Sequence, residues 1–228
     1  MVCGASAWIA LTEVGRMRSN ETVLVTAAAG GTGQFAVQLA KLAGNHVIGT
    51  CSSDAKAAYI NQLGCDRVIN YTQERVADVL RDEYPNGVDL VFESVGGEVF
   101  QVAVEHLAVH GRLIIFGYVS GYQRSGLETS NHPLAMSEVA PLLLHKSASL
   151  GGFHSVNHMA TYAATVRDLA QLVHDKKLVA GVDPHVFGGL ERVPEAIEFL
   201  FARKNRGKIV VRVAAGDAER PCVRFDLS

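Results

Sequence analysis

A chain of 228 residues that is 48% hydrophobic and 19% charged has ordinary globular composition and enough length to bury a sizeable core. Its formal net charge of −2, with no lysine or arginine block longer than two, leaves no electrostatic footprint for nucleic acid or an anionic membrane. Four scattered cysteines without a C-x-x-C pair argue against a zinc or disulfide framework, and with no basic n-region and no bilayer-spanning apolar run a soluble protein of a reducing compartment is expected, cytoplasmic, with peroxisome or mitochondrion as alternatives.

Thr22 to Thr26 is β-branched and apolar, which predicts a buried parallel strand. Phe35, Leu39 and Leu42 then recur at the spacing that gives a helix one apolar face. The turn between them, Ala27 to Gly33, carries Gly30, Gly31 and Gly33. Without Cβ atoms these positions let the backbone turn tightly and approach a pyrophosphate, while free N–H groups at the helix start attract the anion. Ala28 stands where the G-x-G-x-x-G pattern has its first glycine, so the fingerprint is a variant, and a plain strand-to-helix turn is the alternative.

Strand His46–Thr50 follows, and about 20 residues past the glycines an NAD site carries Asp or Glu for the ribose hydroxyl. Here the strand tip reads Thr50-Cys51-Ser52-Ser53-Asp54-Ala55-Lys56. Ser52 and Ser53 offer donors and Lys56 a positive charge, a set that suits the 2′-phosphate of NADP. Asp54 is expected to cap the helix that begins near Ala55.

The alternation continues with helix 55–63, strand 67–69, helix 73–83, strand 88–93, helix 98–107 and strand 112–116. A long Gly- and Ser-bearing segment, 117–133, is long enough to suspect function. Helix 137–145, strand 148–153 and helix 161–174 complete an α/β, doubly wound parallel sheet of about six strands, a Rossmann fold over residues 1–182. The pattern changes from Asp183, with strand 185–187, helix 193–203 and strand 208–213, and residues 214–228 are expected to be a disordered tail.

The stretches VTAAAGGTGQFAVQLAK (25–41), HVIGTCSSDAK (46–56), LGCDRVINY (63–71), VDLVFESVGG (88–97), GRLIIFGYVSGYQ (111–123) and NRGKIVV (205–211) together resemble the medium-chain dehydrogenase/reductase superfamily, in its quinone oxidoreductase and prostaglandin reductase branch. The resemblance implies an NADPH-dependent reductase of activated C=C bonds, acting on enones such as 15-keto-prostaglandins or on quinones. It also implies that the chain is largely the cofactor-binding domain, that segment 183–213 would return to a missing GroES-like domain, and that the protein is a homodimer. A non-catalytic NADP-binding or dimerisation module is the alternative.

By the same resemblance Ala29, Gly30, Gly31, Thr32 and Gly33 would hold the pyrophosphate, Ser53 and Lys56 with Ser52 the 2′-phosphate, and Tyr71 the adenosine end. Ser94 and Val95 follow the fourth strand at its ligand-bearing end, and Gly117 and Tyr118 lead toward the nicotinamide. Gly152 and Phe153 would lie over that ring, Asn205 matches an Asn-x-Gly-Lys cofactor contact, and Tyr122 is the side chain expected to meet the substrate carbonyl. Nine histidines include the pairs His106/His110 and His154/His158 at i, i+4 spacing, yet neither pair is H-E-x-x-H and no metal is expected. Hydrolases of the G-x-S-x-G type and short-chain dehydrogenases with Tyr-x-x-x-Lys lack their signatures here.

Overall fold

The computed structural model describes residues 2–121 and 136–213. Six parallel strands form one sheet in the order β3-β2-β1-β4-β5-β6: β1 (Thr22–Val25), β2 (His46–Cys51), β3 (Arg67–Asn70), β4 (Val88–Glu93), β5 (Leu107–Ile115) and β6 (Ser149–Gly152). The order reverses between β1 and β4, which makes a crevice at their C-terminal ends.

Both faces of the sheet are apolar, because successive strand residues point to opposite sides. Val23, Val25, Val47, Leu90, Phe92 and Ile114 face one core, shared with helices α1 (Val2–Ile9), α2 (Gly33–Leu42) and α7 (Met159–His174). Leu24, Ile48, Val91 and Leu113 face the other, covered by α4 (Val76–Glu83), α5 (Gly97–Glu105) and α6 (Met136–Lys146). Helix α3 (Asp54–Gln62) closes the first face through Ile60. At about 1.5 to 3 kcal/mol per fully buried aliphatic side chain, this double core outweighs any single polar contact.

Several boundaries differ from the pattern reading. Leu42, expected on the apolar face of α2, is 49% exposed, because the helix ends there and its buried stripe is carried by Phe35, Ala36, Val37, Leu39 and Ala40 instead. Helix α4 starts at Val76 rather than 73, since Gln73 and Glu74 donate their N–H groups to the Asn70 carbonyl in a turn. Strand β5 starts at Leu107, five residues before the expected start, and crosses an irregularity where His110 takes a φ of 63°. Helix α1 runs directly into a π-helical turn, Ala10–Val14.

After α7 the chain leaves the main sheet. Strands β7 (Phe187–Gly188) and β8 (Val211–Arg212) make a small parallel ladder, with α8 (Val193–Phe201) between them. Both strands are shorter than the sequence pattern predicts. The backbone around them is spent on bridges to the main domain, Gly30 to Gly207, and on a local bridge from Val182 to Lys208.

Candidate dinucleotide-binding site

A cavity of about 520 Å³ opens at the C-terminal ends of β1, β2 and β4. Of the residues singled out from the sequence, Ala29, Gly30, Gly31, Ser52, Lys56, Tyr71, Val95 and Asn205 line it. Thr32 lies beside it in a second cavity of about 350 Å³, shared with Gly31, Asn205, Gly207 and Lys208.

The floor is the turn after β1. Ala27 takes a φ of 47°, a left-handed conformation that a residue with a Cβ adopts at a cost, and it is held there by its N–H donating to Thr50 Oγ1 at 3.2 Å. The next amide, Ala28, donates to the Thr50 carbonyl at 3.0 Å. Gly33 does not line the cavity; a Cβ there would meet the Ala27 carbonyl and lie 2.9 Å from Ala28 Cα, so its bare Cα is what lets α2 start against the turn. The first turn of α2 is closed within the chain, with the Gln34 N–H donating to the Gly30 carbonyl at 3.2 Å and the Phe35 N–H to the Thr32 carbonyl at 3.0 Å, and the positive end of the helix lies beside the cavities lined by Gly31 and Thr32, a place that favours an anion.

The adenosine-side corner is built from the β2–α3 junction. Ser53, with extended backbone, is the N-cap of α3: its Oγ accepts the Lys56 N–H at 3.4 Å. The cap expected at Asp54 is thus one residue early, and the Asp54 carboxylate instead accepts from Asn70 Nδ2 at 2.8 Å and Gln73 Nε2 at 2.9 Å, binding α3 to the end of β3. Ser53 is not among the cavity-lining residues, whereas Ser52 is. Lys56 Nζ donates to Ser52 Oγ at 3.2 Å and to the Arg203 carbonyl at 2.6 Å. Partial burial holds the Lys56 ammonium below the usual lysine range.

The opposite wall is the turn after β4, lined by Val95, Gly96 and Gly97. Gly96, with φ 79°, is the N-cap of α5, and its N–H and that of Val95 are both accepted by Glu93 Oε1, at 3.0 and 2.7 Å. Glu93 is fully buried, and burial pushes its carboxyl above the ordinary range. Ser94 is drawn away from the cavity: its N–H donates to Thr26 Oγ1 at 2.9 Å. Gly117 passes close to Ser94, and the half-exposed Tyr118 ring packs over Gly96.

Gly152 and Phe153 lie farther along the sheet, at the end of β6. Phe153 is buried and stacked between Phe116 at 5.2 Å and His158 at 5.1 Å between ring centroids, and neither it nor Gly152 lines the cavities described above. Tyr122 lies outside the described residues, as do residues 214–228. Among the described residues no three His, Cys, Asp or Glu side chains converge on one point, and no helix is long and apolar enough to cross a membrane. His106 Nδ1 is engaged by the Val102 carbonyl and His158 Nδ1 by Glu13 Oε2.

Two buried glutamines that the sequence pattern did not mark hold the C-terminal segment on the site. Gln34 Nε2 donates to the Gly181 carbonyl and its Oε1 accepts the Gly181 N–H, both at 2.8 Å, with the Tyr59 hydroxyl donating to the same oxygen at 2.7 Å. Gln38 does the same for Val179, at 3.0 and 2.7 Å. Their signal was present: two polar residues at i, i+4 on an otherwise apolar stretch of helix.

The family model of zinc-binding dehydrogenases matches residues 31–174, most of the chain. Prostaglandin reductase-3 of Mus musculus is 48% identical over 219 residues, covering 93% of this chain and 57% of that protein. A probable quinone oxidoreductase of Leishmania amazonensis is 43% identical over 213 residues, covering 93% and 62%. Among solved structures, CurA of Vibrio vulnificus in complex with NADPH superposes with a TM-score of 0.84 at 30% identity, covering 93% of this chain and 63% of that one. The chain therefore spans about 57–62% of the length of these curated relatives. Matched over its glycine turn, its helices and its sheet, the chain belongs to the zinc-binding dehydrogenase family, within the medium-chain dehydrogenase/reductase superfamily.

Proposed function

We propose that this chain is the NADP-binding part of an NADPH-dependent reductase that acts on the activated C=C bond of enones, such as 15-keto-prostaglandins, or on quinones. The observation that carries this is the cavity at the strand-order reversal, where a glycine turn meets a corner of Ser52 and Lys56 and the strand tip holds no carboxylate. The NADPH complex of CurA and the names of the reductases matched above support the same reading.

The residues present fit such a group. Gly30 and Gly31 would let the pyrophosphate approach the backbone beside the α2 N-terminus, Lys56 and Ser52 would take the 2′-phosphate, and Tyr71 and Asn205 would border the nucleotide. When bound, NADPH supplies a hydride to the β-carbon of the acceptor. Tyr122 is assigned to hydrogen-bond the enolate oxygen that develops in that step, a donor worth about 2.7 to 4 kcal/mol in the transition state. Tyr122→Phe in the full-length enzyme is therefore expected to lower turnover and leave NADPH affinity intact; a fall of less than about threefold would remove Tyr122 from the mechanism.

Titration with both dinucleotides tests the cofactor assignment. NADPH is expected to bind more tightly than NADH, and Lys56→Ala to weaken NADPH selectively by about tenfold or more, the worth of one charge-assisted contact. Equal affinities in the unmutated chain would end this reading. The alternative is a dinucleotide-binding module without turnover, which NADPH binding with no enone reduction would support. A homodimer joined along β6 belongs to the same proposal, because among the described residues β6 is an edge strand hydrogen-bonded in the sheet only to β5, and exposed edges invite pairing. Sedimentation of a monomer alone at micromolar concentration would count against it.

A further inference from the structure

The Lys56 ammonium spends one of its donors on a carbonyl far away in sequence, that of Arg203, just beyond α8. This contact joins the β2–α3 corner to the C-terminal segment across the mouth of the cavity. Arg203 is exposed and lines the cavity together with Lys56, Ser52 and Asn205, and no ion-pair partner is found for it among the described residues.

Arg203 also holds an unusual backbone conformation. It follows the Ala202 C-cap of α8 with a φ of 55°, the left-handed position that helix ends assign to glycine. An arginine there costs stability that glycine would not, as Lys176 does at the same position after α7, but only Arg203 of the two lines the cavity.

Three carboxylates of this region are already committed. Asp54 is taken by Asn70 and Gln73, Glu74 by two nitrogens of Arg67, and Asp183 by the backbone N–H groups of His185 and Arg206. Arg75, another cation on the cavity wall, faces Asp78 at 3.7 Å, and Glu98 lines the far wall on α5. Lys56 and Arg203 are thus two like charges at one corner; burial is the main force against protonation of Lys56, the charge of Arg203 adds to it, and the Asp183 carboxylate, held by backbone N–H groups, acts the other way.

We propose that Arg203 is a second anion-binding cation, which with Lys56 grips a phosphomonoester on the ribose 2′ side of a bound nucleotide, Lys56 releasing the Arg203 carbonyl as it turns to the phosphate. The proposal rests on the cavity's reading as a dinucleotide site. It makes the C-terminal segment part of the discrimination between NADP and NAD. A guanidinium suits the task because its planar fork meets two phosphate oxygens at once, which a second lysine would not.

The test is calorimetric titration of the wild-type chain, Arg203→Gln and Arg203→Gly with NADPH, NADH and 2′,5′-ADP. Arg203→Gln is expected to weaken NADPH and 2′,5′-ADP by about tenfold and to change NADH by less than about twofold. Arg203→Gly should lose the same selectivity while melting at or above the wild-type temperature, since glycine relaxes the positive φ, and that separates anion loss from unfolding. Equal losses for NADPH and NADH, or no loss for either, would overturn the proposal. If the wild type binds neither dinucleotide, the reductase reading falls alone: 2′,5′-ADP affinity that depends on Arg203 still upholds the cation corner, and affinity indifferent to Arg203 removes it.

Discussion

The N–H of Gly207 donates to the carbonyl oxygen of Ala29 at 2.8 Å, so the glycine turn after β1 is hydrogen-bonded to a segment that enters only after the sheet is complete. The turn's other neighbours are held by the same segment. Asn205 is buried with its Nδ2 donating to the Gly207 carbonyl at 3.1 Å, and Asp183 accepts the Arg206 N–H. What anchors this segment is Gln34, whose amide pairs with both backbone groups of Gly181.

Gln34→Leu is accordingly expected to destabilise the chain by about 1 to 3 kcal/mol, because it leaves the half-buried Gly181 N–H without its partner, while the Gly181 carbonyl keeps the Lys208 N–H at 3.0 Å. Its signature is local. Amide exchange should accelerate first around residues 179–183 and 205–208, and dinucleotide affinity should fall with it. A urea midpoint unchanged from the wild type would show that the Gln34–Gly181 pairing contributes nothing net.

Gly31 and Gly33 sit two residues apart and are expected to fail in opposite ways. A Cβ on Gly31 would approach Lys208 Cδ at 3.1 Å, the movable part of a flexible side chain, so Gly31→Val should keep its fold and lose dinucleotide binding as its branches fill the pyrophosphate approach. A Cβ on Gly33 meets rigid backbone of Ala27 and Ala28. Gly33→Ala should therefore lose stability, by about 1 to 3 kcal/mol as for other overpacked sites. Thermal melts and NADPH titrations of the two variants check this; normal binding by Gly31→Val would mean that the phosphate loop lies elsewhere.

The sheet was legible because each strand is a short apolar run and each helix an apolar stripe, signals that survive without tertiary context. All six strands fall within a few residues of their sequence-predicted positions, β5 apart, where the His110 irregularity carries the pairing back to Leu107. The cavity was legible in its glycines, Ser52 and Lys56, whose chemistry is local. Its closure was not. Gln34, Gln38 and Lys56 act through backbone groups of residues far away in sequence, Gly181, Val179 and Arg203, which no local pattern encodes. Ser53 and Asp54 show the finer limit: both residues suit a cap, and the extended backbone of Ser53 with its bond to Lys56 N decides between them.

Glu93 gives a pH dependence with a definite sign. Its Oε1 accepts from Val95 and Gly96, while Oε2 is buried with no hydrogen-bond partner among the described residues, so ionisation in the folded state is opposed and the folded pKa lies above the ordinary 4.5. The unfolded chain then ionises first as pH rises. The stability linked to Glu93 is fully present below 4.5 and is lost as pH climbs through the folded value, at up to on the order of 1 kcal/mol per pH unit. Glu93→Gln keeps an oxygen for Val95 and Gly96 and carries no proton to lose. It should match the wild type in acid and become progressively more stable than it toward neutrality, with the gap levelling once the folded carboxyl is ionised. Urea unfolding of both proteins at intervals from about pH 4 to pH 8 measures that gap. Parallel curves across the range would mean that Glu93 titrates alike in both states, and that the three donors around Oε1, including the Thr26 hydroxyl, already offset its burial.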